Sequence, residues 1–341
     1  MPLSITVDRV TVSAAPLAIS IGDPAGIGPE IIAAAWERRH VAALPSFLAI
    51  GDARSIRAVW DGPIAVLADP AAAAAAFADA LPLIQVDDPG EIVPGEPNLA
   101  GARCALDSLE LAVGLAREGM ASALVTGPVS KAQLFAIGFA YPGQTEFVAE
   151  RCGVSAANAV MMLAGPSLRT IPLTVHVPLA DVPRLLSIDL IVTRARIAAR
   201  ALARDYGIAN PRLAIAGLNP HAGEQGTLGR EEIDIIRPAI EILRSDGLDV
   251  AGPLAADTMF HPAARARYDA ALCLYHDQAL IPLKALHFDD GVNVTLGLPI
   301  VRTSPDHGTA FDIAGTGVAS PTAMMAAIQM AGACAARRKA A

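Results

Sequence analysis

Short apolar runs rich in β-branched residues alternate along this chain with longer stretches of Ala, Leu, Arg and Glu. The short runs predict strands at 17–21 (LAISI), 46–50, 64–67, 82–86, 122–126 (SALVT), 158–163, 171–176 (IPLTVH), 212–216, 270–275 (AALCLY) and 292–296. The longer stretches predict helices at 29–39, 99–119, 145–153, 188–206, 229–245 and 321–338. Strands that are apolar at nearly every position need cover on both faces, the pattern of parallel strands lying between helices. The expected class is therefore α/β, a three-layer αβα sandwich in two lobes with a cleft between them. No Gly/Ser-rich linker separates the lobes, so the chain is expected to cross between them more than once. Residues 17–140 with 290–341 form the first expected lobe, 141–289 the second, and 1–16 a peripheral tail. Pro29 after Gly28 and Asn98 mark two helix starts, the first by its preset φ and the second by its capping oxygen. The alanine run 71–76 reads as surface helix.

Composition adds boundaries to this picture. With 341 residues, 53% hydrophobic and 18% charged, the chain can bury a sizeable core. No apolar run reaches the roughly 18–20 residues of a membrane span. The N-terminus lacks the apolar centre of a secretory signal, so a cytoplasmic location is expected. Four scattered cysteines without CxxC spacing read as ordinary buried thiols rather than a disulfide framework or a thiolate metal site. A net charge of −8 argues against nucleic acid, and any anionic ligand then needs a locally positive pocket.

Three histidines carry the first candidate chemistry. His176, His221 and His276 each follow a predicted strand, at the sheet edge where open α/β folds build their sites. Imidazoles suit Zn or Co, and three of them leave positions open for substrate oxygens. Read singly, each is equally a core or loop histidine, and their spacing is no local metal motif. Asp277 can orient His276 or add an oxygen ligand. Gly22–Glu30 runs from strand to helix but is not GxGxxG, and Asp23 would repel a pyrophosphate. A tight turn is the expectation there. Around Thr303–Gly317, small residues and hydroxyls permit close backbone approach to an anion. Arg302 can grip a carboxylate or phosphate, and Lys284 can bind an anion or move a proton. The turns at Thr126–Lys131 and Gly143–Glu146 again join hydroxyl, amide and charge.

Long segments then resemble the 4-hydroxythreonine-4-phosphate dehydrogenase family of pyridoxal phosphate biosynthesis. They are SIGDPAGIGPEI (20–31), VTGPVSKAQL (125–134), YPGQTEFVAE (141–150), LTVHVPLADVP (173–183), GLNPHAGEQGTLGREE (217–232), GPLAADTMF (252–260), YHDQALIPLKAL (275–286) and NVTLGLPIVRTSPDHGTAFDIAGTG (293–317). The resemblance implies a fold like that of isocitrate and isopropylmalate dehydrogenases, in a homodimer. It implies NAD (or NADP) oxidation of 4-phosphooxy-L-threonine at C3 and loss of CO2 to an aminoketone phosphate. It casts His176, His221 and His276 as ligands of one divalent metal (Zn, Mg or Co), one of them from the partner subunit. Gln144, Thr145, Lys284, Asn293 and Arg302 match substrate-contacting positions. Ser304, Asp306, His307, Gly308, Thr309, Asp312, Gly315 and Gly317 lie in the stretch that lines the cofactor's adenosine. Lys284, Asp257 and Asp277 are the implied catalytic set. One departure stands out: many family members carry His where this chain has Gln144, which removes a titrating group there. Sister dehydrogenases acting on D-threonate or D-erythronate 4-phosphate, or on cis-diol dicarboxylates, share the histidines and are the alternative. A non-catalytic metal- or phosphate-binding protein is the rival outside enzymes.

Overall fold

The computed structural model describes residues 15–340, so most of the expected tail 1–16 lies outside the described residues. The strands are β1 (Leu17–Ser20), β2 (Phe47–Gly51), β3 (Ile64–Val66), β4 (Leu81–Gln85), β5 (Leu124–Thr126) and β6 (Val160–Gly165). They continue with β7 (Leu168–Pro172), β8 (Arg212–Ala216), β9 (Asp249–Leu254), β10 (Ala270–Cys273), β11 (Val292–Leu296) and β12 (Arg302–Pro305). Helices α1 (Gly28–Glu37), α2 (Ala53–Arg57), α3 (Ala73–Ala76), α4 (Leu99–Arg117), α5 (Lys131–Ala136) and α6 (Gln144–Arg151) alternate with the first strands. Then come α7 (Val182–Leu185), α8 (Ile188–Tyr206), α9 (Arg237–Ser245), α10 (Pro262–Arg265), α11 (His276–Leu286) and α12 (Thr322–Ala340).

All twelve strands form one sheet in the order β3-β4-β2-β1-β5-β12-β11-β6-β7-β10-β8-β9. Its side chains divide by parity, because successive strand residues point to opposite faces. Leu17, Ile19, Phe47, Ala49, Ala123 and Val125 enter one apolar core. Ala18, Leu48, Ile50 and Leu124 enter another, with Leu109 and Val113 of α4. Both faces are therefore covered, as the unbroken apolar runs required, and the class is α/β.

The expectation of parallel strands holds at the two flanks and fails at the centre. β12–β11, β11–β6 and β6–β7 are antiparallel, so strand direction reverses in mid-sheet. The cause is local: β6 and β7 are joined only by Pro166 and Ser167, and two residues can link only antiparallel neighbours. The predicted strand 171–176 accordingly starts earlier and stops at Pro172.

The helix start expected at Asn98 is met, and the ends of α8 carry signals that were not singled out above. Asn98 caps α4 by accepting from Gly101 N at 2.7 Å, and Ser187 caps α8 at Leu190 N. Gly207, at φ +70, ends α8 in the left-handed conformation that glycine adopts without strain. The Gly22–Glu30 loop is a tight turn. A side chain on Gly22 would collide with the Pro128 carbonyl, and one on Gly28 with the Ile21 carbonyl. These glycines serve backbone packing. Cys104, Cys273 and Cys334 are buried free thiols and Cys152 is half-buried and free.

Candidate active site

A cleft of about 590 Å³ opens on the face of the sheet where strand direction reverses. Register places its floor. Asn293 faces Ser304 across β11–β12, and Thr295 faces Met161 across β11–β6, so Asn293, Thr295, Arg302 and Ser304 share one surface. The turns after β5 and before α6 form one wall, and the start of α11 another. A wider hollow of about 970 Å³ runs along α8 beside Gly153 and Gly297 and holds none of the histidines.

Arg302 is the centre of this floor. It is 4% exposed, yet its partners are hydroxyls alone. Nη2 donates to Thr126 Oγ1 at 2.7 Å, and Nη1 to Thr295 Oγ1 at 3.1 Å and Thr145 Oγ1 at 3.5 Å. Its Nε is buried without any partner. Burial pushes its pKa down to about 10, with the Glu146 carboxylate opposing. A buried guanidinium with hydroxyl partners and no carboxylate has the chemistry to receive an anion. Gln144 Nε2 donates to the Gly127 carbonyl at 3.1 Å, while its Oε1 and the Oδ1 of Asn293 are buried and unpartnered. Both acceptors line the cleft. Lys284 is outside that lining and pairs with Oδ2 of Asp306, which lines the cleft, at 2.9 Å.

His176 and His276 meet at the same cleft, their ring centroids 5.6 Å apart and tilted by 44°. Two imidazoles on one tetrahedral cation, with metal–nitrogen bonds of about 2.1 Å, stand at about that separation. His276 Nδ1 contacts Asp277 Oδ1 at 2.7 Å, which fixes the ring and leaves Nε2 as the free ligand atom. The His176 pKa is lowered, first by burial and then by the positive Lys131 and by His276, with Glu146 opposing. It is thus held in the neutral form a metal needs. Its backbone is left-handed at φ 51, a conformation non-glycine residues hold mainly at functional sites.

His221 is elsewhere. It is 69% exposed, with only Glu224 at 3.3 Å. Among the described residues no three His, Cys, Asp or Glu side chains cluster closely enough to hold a metal. His221 opens a turn in which five successive residues, His221 to Gln225, are left-handed. Such runs cost about 1–2 kcal/mol per non-glycine residue. The buried Glu232 braces the turn, taking Asn219 N at 2.8 Å and Asn219 Nδ2 at 3.0 Å. Asp257, exposed in a short helical turn over Ala256–Thr258, packs with the His221 turn and not with the cleft.

The predicted cofactor stretch divides. Ser304, Asp306, His307 and Gly308 line the cleft. Thr309 accepts from Ile27 N through its carbonyl, and Gly315 donates to Glu30 Oε2 and lines a second hollow with Arg57 and Trp60. Asp312 and Gly317 are exposed between and beyond them. Thr126, Arg194, Lys131 and Glu146 complete the cleft, with Thr295 bonded to Arg302 at its floor, and no specific role could be read for them from sequence. Among the described residues Arg194 differs from Arg196 and Arg204 of α8 in having no carboxylate partner.

This geometry has close counterparts. Sequences named 4-hydroxythreonine-4-phosphate dehydrogenase match it from Erythrobacter litoralis, 60% identical over 95% of this chain and 97% of that one, and from Zymomonas mobilis, 57% identical over 93% and 94%. The crystal structure of 4-hydroxythreonine-4-phosphate dehydrogenase from Klebsiella pneumoniae superposes with a TM-score of 0.85 at 36% identity, covering 95% of this chain and 99% of that one. A family model described as "Pyridoxal phosphate biosynthetic protein PdxA" matches residues 43–331. With that match spanning most of its length, the chain belongs to the PdxA family.

Proposed function

We propose that this protein oxidises 4-phosphooxy-L-threonine at its C3 hydroxyl and releases CO2, giving 3-amino-2-oxopropyl phosphate for pyridoxal 5'-phosphate synthesis. The observation that carries this reading is Arg302, a buried cation with hydroxyl partners only, in one cleft with the His176–His276 pair. A phosphorylated hydroxy acid supplies both the anion that Arg302 lacks and the oxygens that a cation held by the histidines would take.

In this reading Arg302, Thr145 and Lys284 hold the phosphate, with the Thr126 and Thr295 hydroxyls oriented around it. The unpartnered oxygens of Gln144 and Asn293 accept from the substrate's hydroxyl and ammonium hydrogens. Gln144 therefore binds without transferring a proton. His176 and His276 hold the divalent cation, and their nitrogen donors suit Zn or Co better than Mg. When bound, the cation supplies Lewis acidity to the substrate hydroxyl, and NAD (or NADP) accepts the hydride. Asp277 keeps His276 in its ligating tautomer. Lys284, ion-paired to Asp306, carries the proton between cleft and solvent. Ser304, Asp306, His307, Gly308, Thr309, Asp312, Gly315 and Gly317 would hold the adenosine side of that cofactor. Residues 17–140 with 290–341 and residues 141–289 act as the two lobes around this cleft.

Because His221 stands apart from the other two histidines, the third ligand comes from a second copy of the chain in a homodimer, and Asp257 travels with it. The purified protein is expected to reduce NAD with 4-phosphooxy-threonine, to stop with a chelator and to recover with added divalent metal. A preference for D-threonate or D-erythronate 4-phosphate, or for a cis-diol dicarboxylate, overturns the substrate assignment. Mixing inactive His176→Ala and His221→Ala dimers should restore activity, since one hybrid site then has all three histidines. No recovery on mixing refutes the shared site.

A further inference from the structure

We propose that Arg194 binds the carboxylate of the substrate, at the end of the cleft opposite Arg302; this rests on the 4-phosphooxy-threonine reading above. Arg194 reaches from α8 past the end of β7, where its Nη1 donates to the Pro172 carbonyl at 3.3 Å. Its Nε is buried with no partner. Among the described residues no carboxylate lies within ion-pair distance of it, whereas Arg196 pairs with Asp246 and Arg204 with Asp205 on the same helix. Burial lowers its pKa, with no acidic group opposing. This half-buried guanidinium lacks the counter-charge that cations withdrawn from water ordinarily receive. It lines the same cleft as His176, His276 and Arg302.

The register separates the two arginines. Thr295 faces Met161. Continuing the β12–β11 register by one pair sets Arg302 beside Thr295, and continuing the β6–β7 register by two sets Pro172 beside Met161. Arg302 and the Pro172 anchor thus lie three strand spacings apart, about 14 Å, and the Arg302 guanidinium is held between Thr126 and Thr295 on the strands either side of its own. One anion cannot satisfy both. A phosphorylated four-carbon acid has two anionic ends, about 6 Å apart from phosphorus to carboxylate carbon when extended. Adding about 4 Å from each anion centre to its guanidinium centre gives about 14 Å between guanidinium centres, a separation that arginines anchored at those two strand positions can meet. The phosphate then lies on Arg302 among the threonine hydroxyls. The carboxylate lies on Arg194, and C2 and C3 fall between them beside the two histidines. His176 follows Pro172 by only four residues, so the reacting end is the Arg194 end.

The test measures equilibrium binding and turnover of 4-phosphooxy-threonine and of its neutral carboxamide by the metal-loaded dimer. Loss of one charge-assisted contact should weaken binding of the acid by about 10- to 150-fold in Arg194→Ala. The carboxamide should change by less than about threefold, and Arg194→Lys should recover part of the acid's affinity. Should the Ala variant not fold, Arg194→Gln, which keeps a donor for the Pro172 carbonyl, carries the same comparison. Equal weakening of acid and carboxamide, or unchanged binding of the acid, overturns the assignment. If the wild type neither binds nor turns over 4-phosphooxy-threonine, the substrate reading falls, and the role of Arg194 falls with it.

Discussion

Replacing Arg302 by Met is expected to stabilise the protein while disabling it. The guanidinium is 4% exposed, and burial lowers its pKa from the ordinary arginine value to about 10, a penalty of about 3 kcal/mol on the charged form. At neutral pH the group is protonated in both the folded and the unfolded chain. The penalty is therefore fully present there, and it fades only as pH climbs through about 10 toward the ordinary arginine value. Against it stand the hydrogen bonds to Thr126 and Thr295, about 1 kcal/mol each. The difference favours Arg302→Met by about 1 kcal/mol, or about 2 °C in melting temperature for a chain of this size. Met follows the same path as the arginine stem and leaves no carboxylate unpaired. Substrate binding moves the other way. Losing a desolvated contact to a phosphate costs about 3–5 kcal/mol, a fall in kcat/KM of about 200- to 4000-fold. Thermal unfolding without ligand and steady-state kinetics on the same preparation decide the matter. A melting temperature lowered by more than about 2 °C would show that the threonine network outweighs desolvation. Retention of most activity would show that Arg302 is not the anion site.

Asp277→Asn should weaken metal affinity by about 10- to 100-fold in a chelator competition, because His276 loses its charged acceptor at 2.7 Å; unchanged affinity rules out that orienting role. Gly223→Ala places a Cβ 2.5 Å from Glu232 Oε2 at φ +78. It should destabilise the protein by about 2 kcal/mol, and an unchanged melting temperature would show that the left-handed turn at His221 is not rigid. Asp23→Asn should stabilise the protein at neutral pH, since burial raises the Asp23 pKa and Asn keeps an acceptor for Ala25 N. The penalty on Asp23 exists above its folded pKa and disappears as pH falls from there through the ordinary 3.8. The gain should shrink over that same range, so a gain that persists in acid contradicts the assignment.

The fold was legible wherever burial is two-sided and helices are capped. The runs at 17–21, 46–50 and 212–216 are apolar because both of their faces meet helices, and α8 was bounded by Ser187 and Gly207. Besides the short helices α2, α5, α7 and α10, three elements escaped for an evident physical reason. β12 reads Arg-Thr-Ser-Pro because one of its faces is the floor of the cleft, so the hydrophobic pattern is silent there. α11 contains Pro282, which reads as a helix breaker and hides the helix that begins at His276. β9 is half-exposed at the sheet edge and includes Gly252-Pro253, residues that argue against a strand.

Sequence by itself determined that this is an α/β chain with covered strands, and that histidines follow three of them. It also placed an arginine beside hydroxyl-bearing turns. Only the tertiary structure decided which of these groups meet. It joined His176 to His276 and set His221 apart, paired Lys284 with Asp306, and left Arg302 and Arg194 each with a buried, unpartnered Nε. The physical reason is that hydrophobic periodicity reports what is buried against apolar neighbours. Whether a buried charge has found a partner depends on strand order and register across residues more than a hundred positions apart, and local spacing carries no record of that.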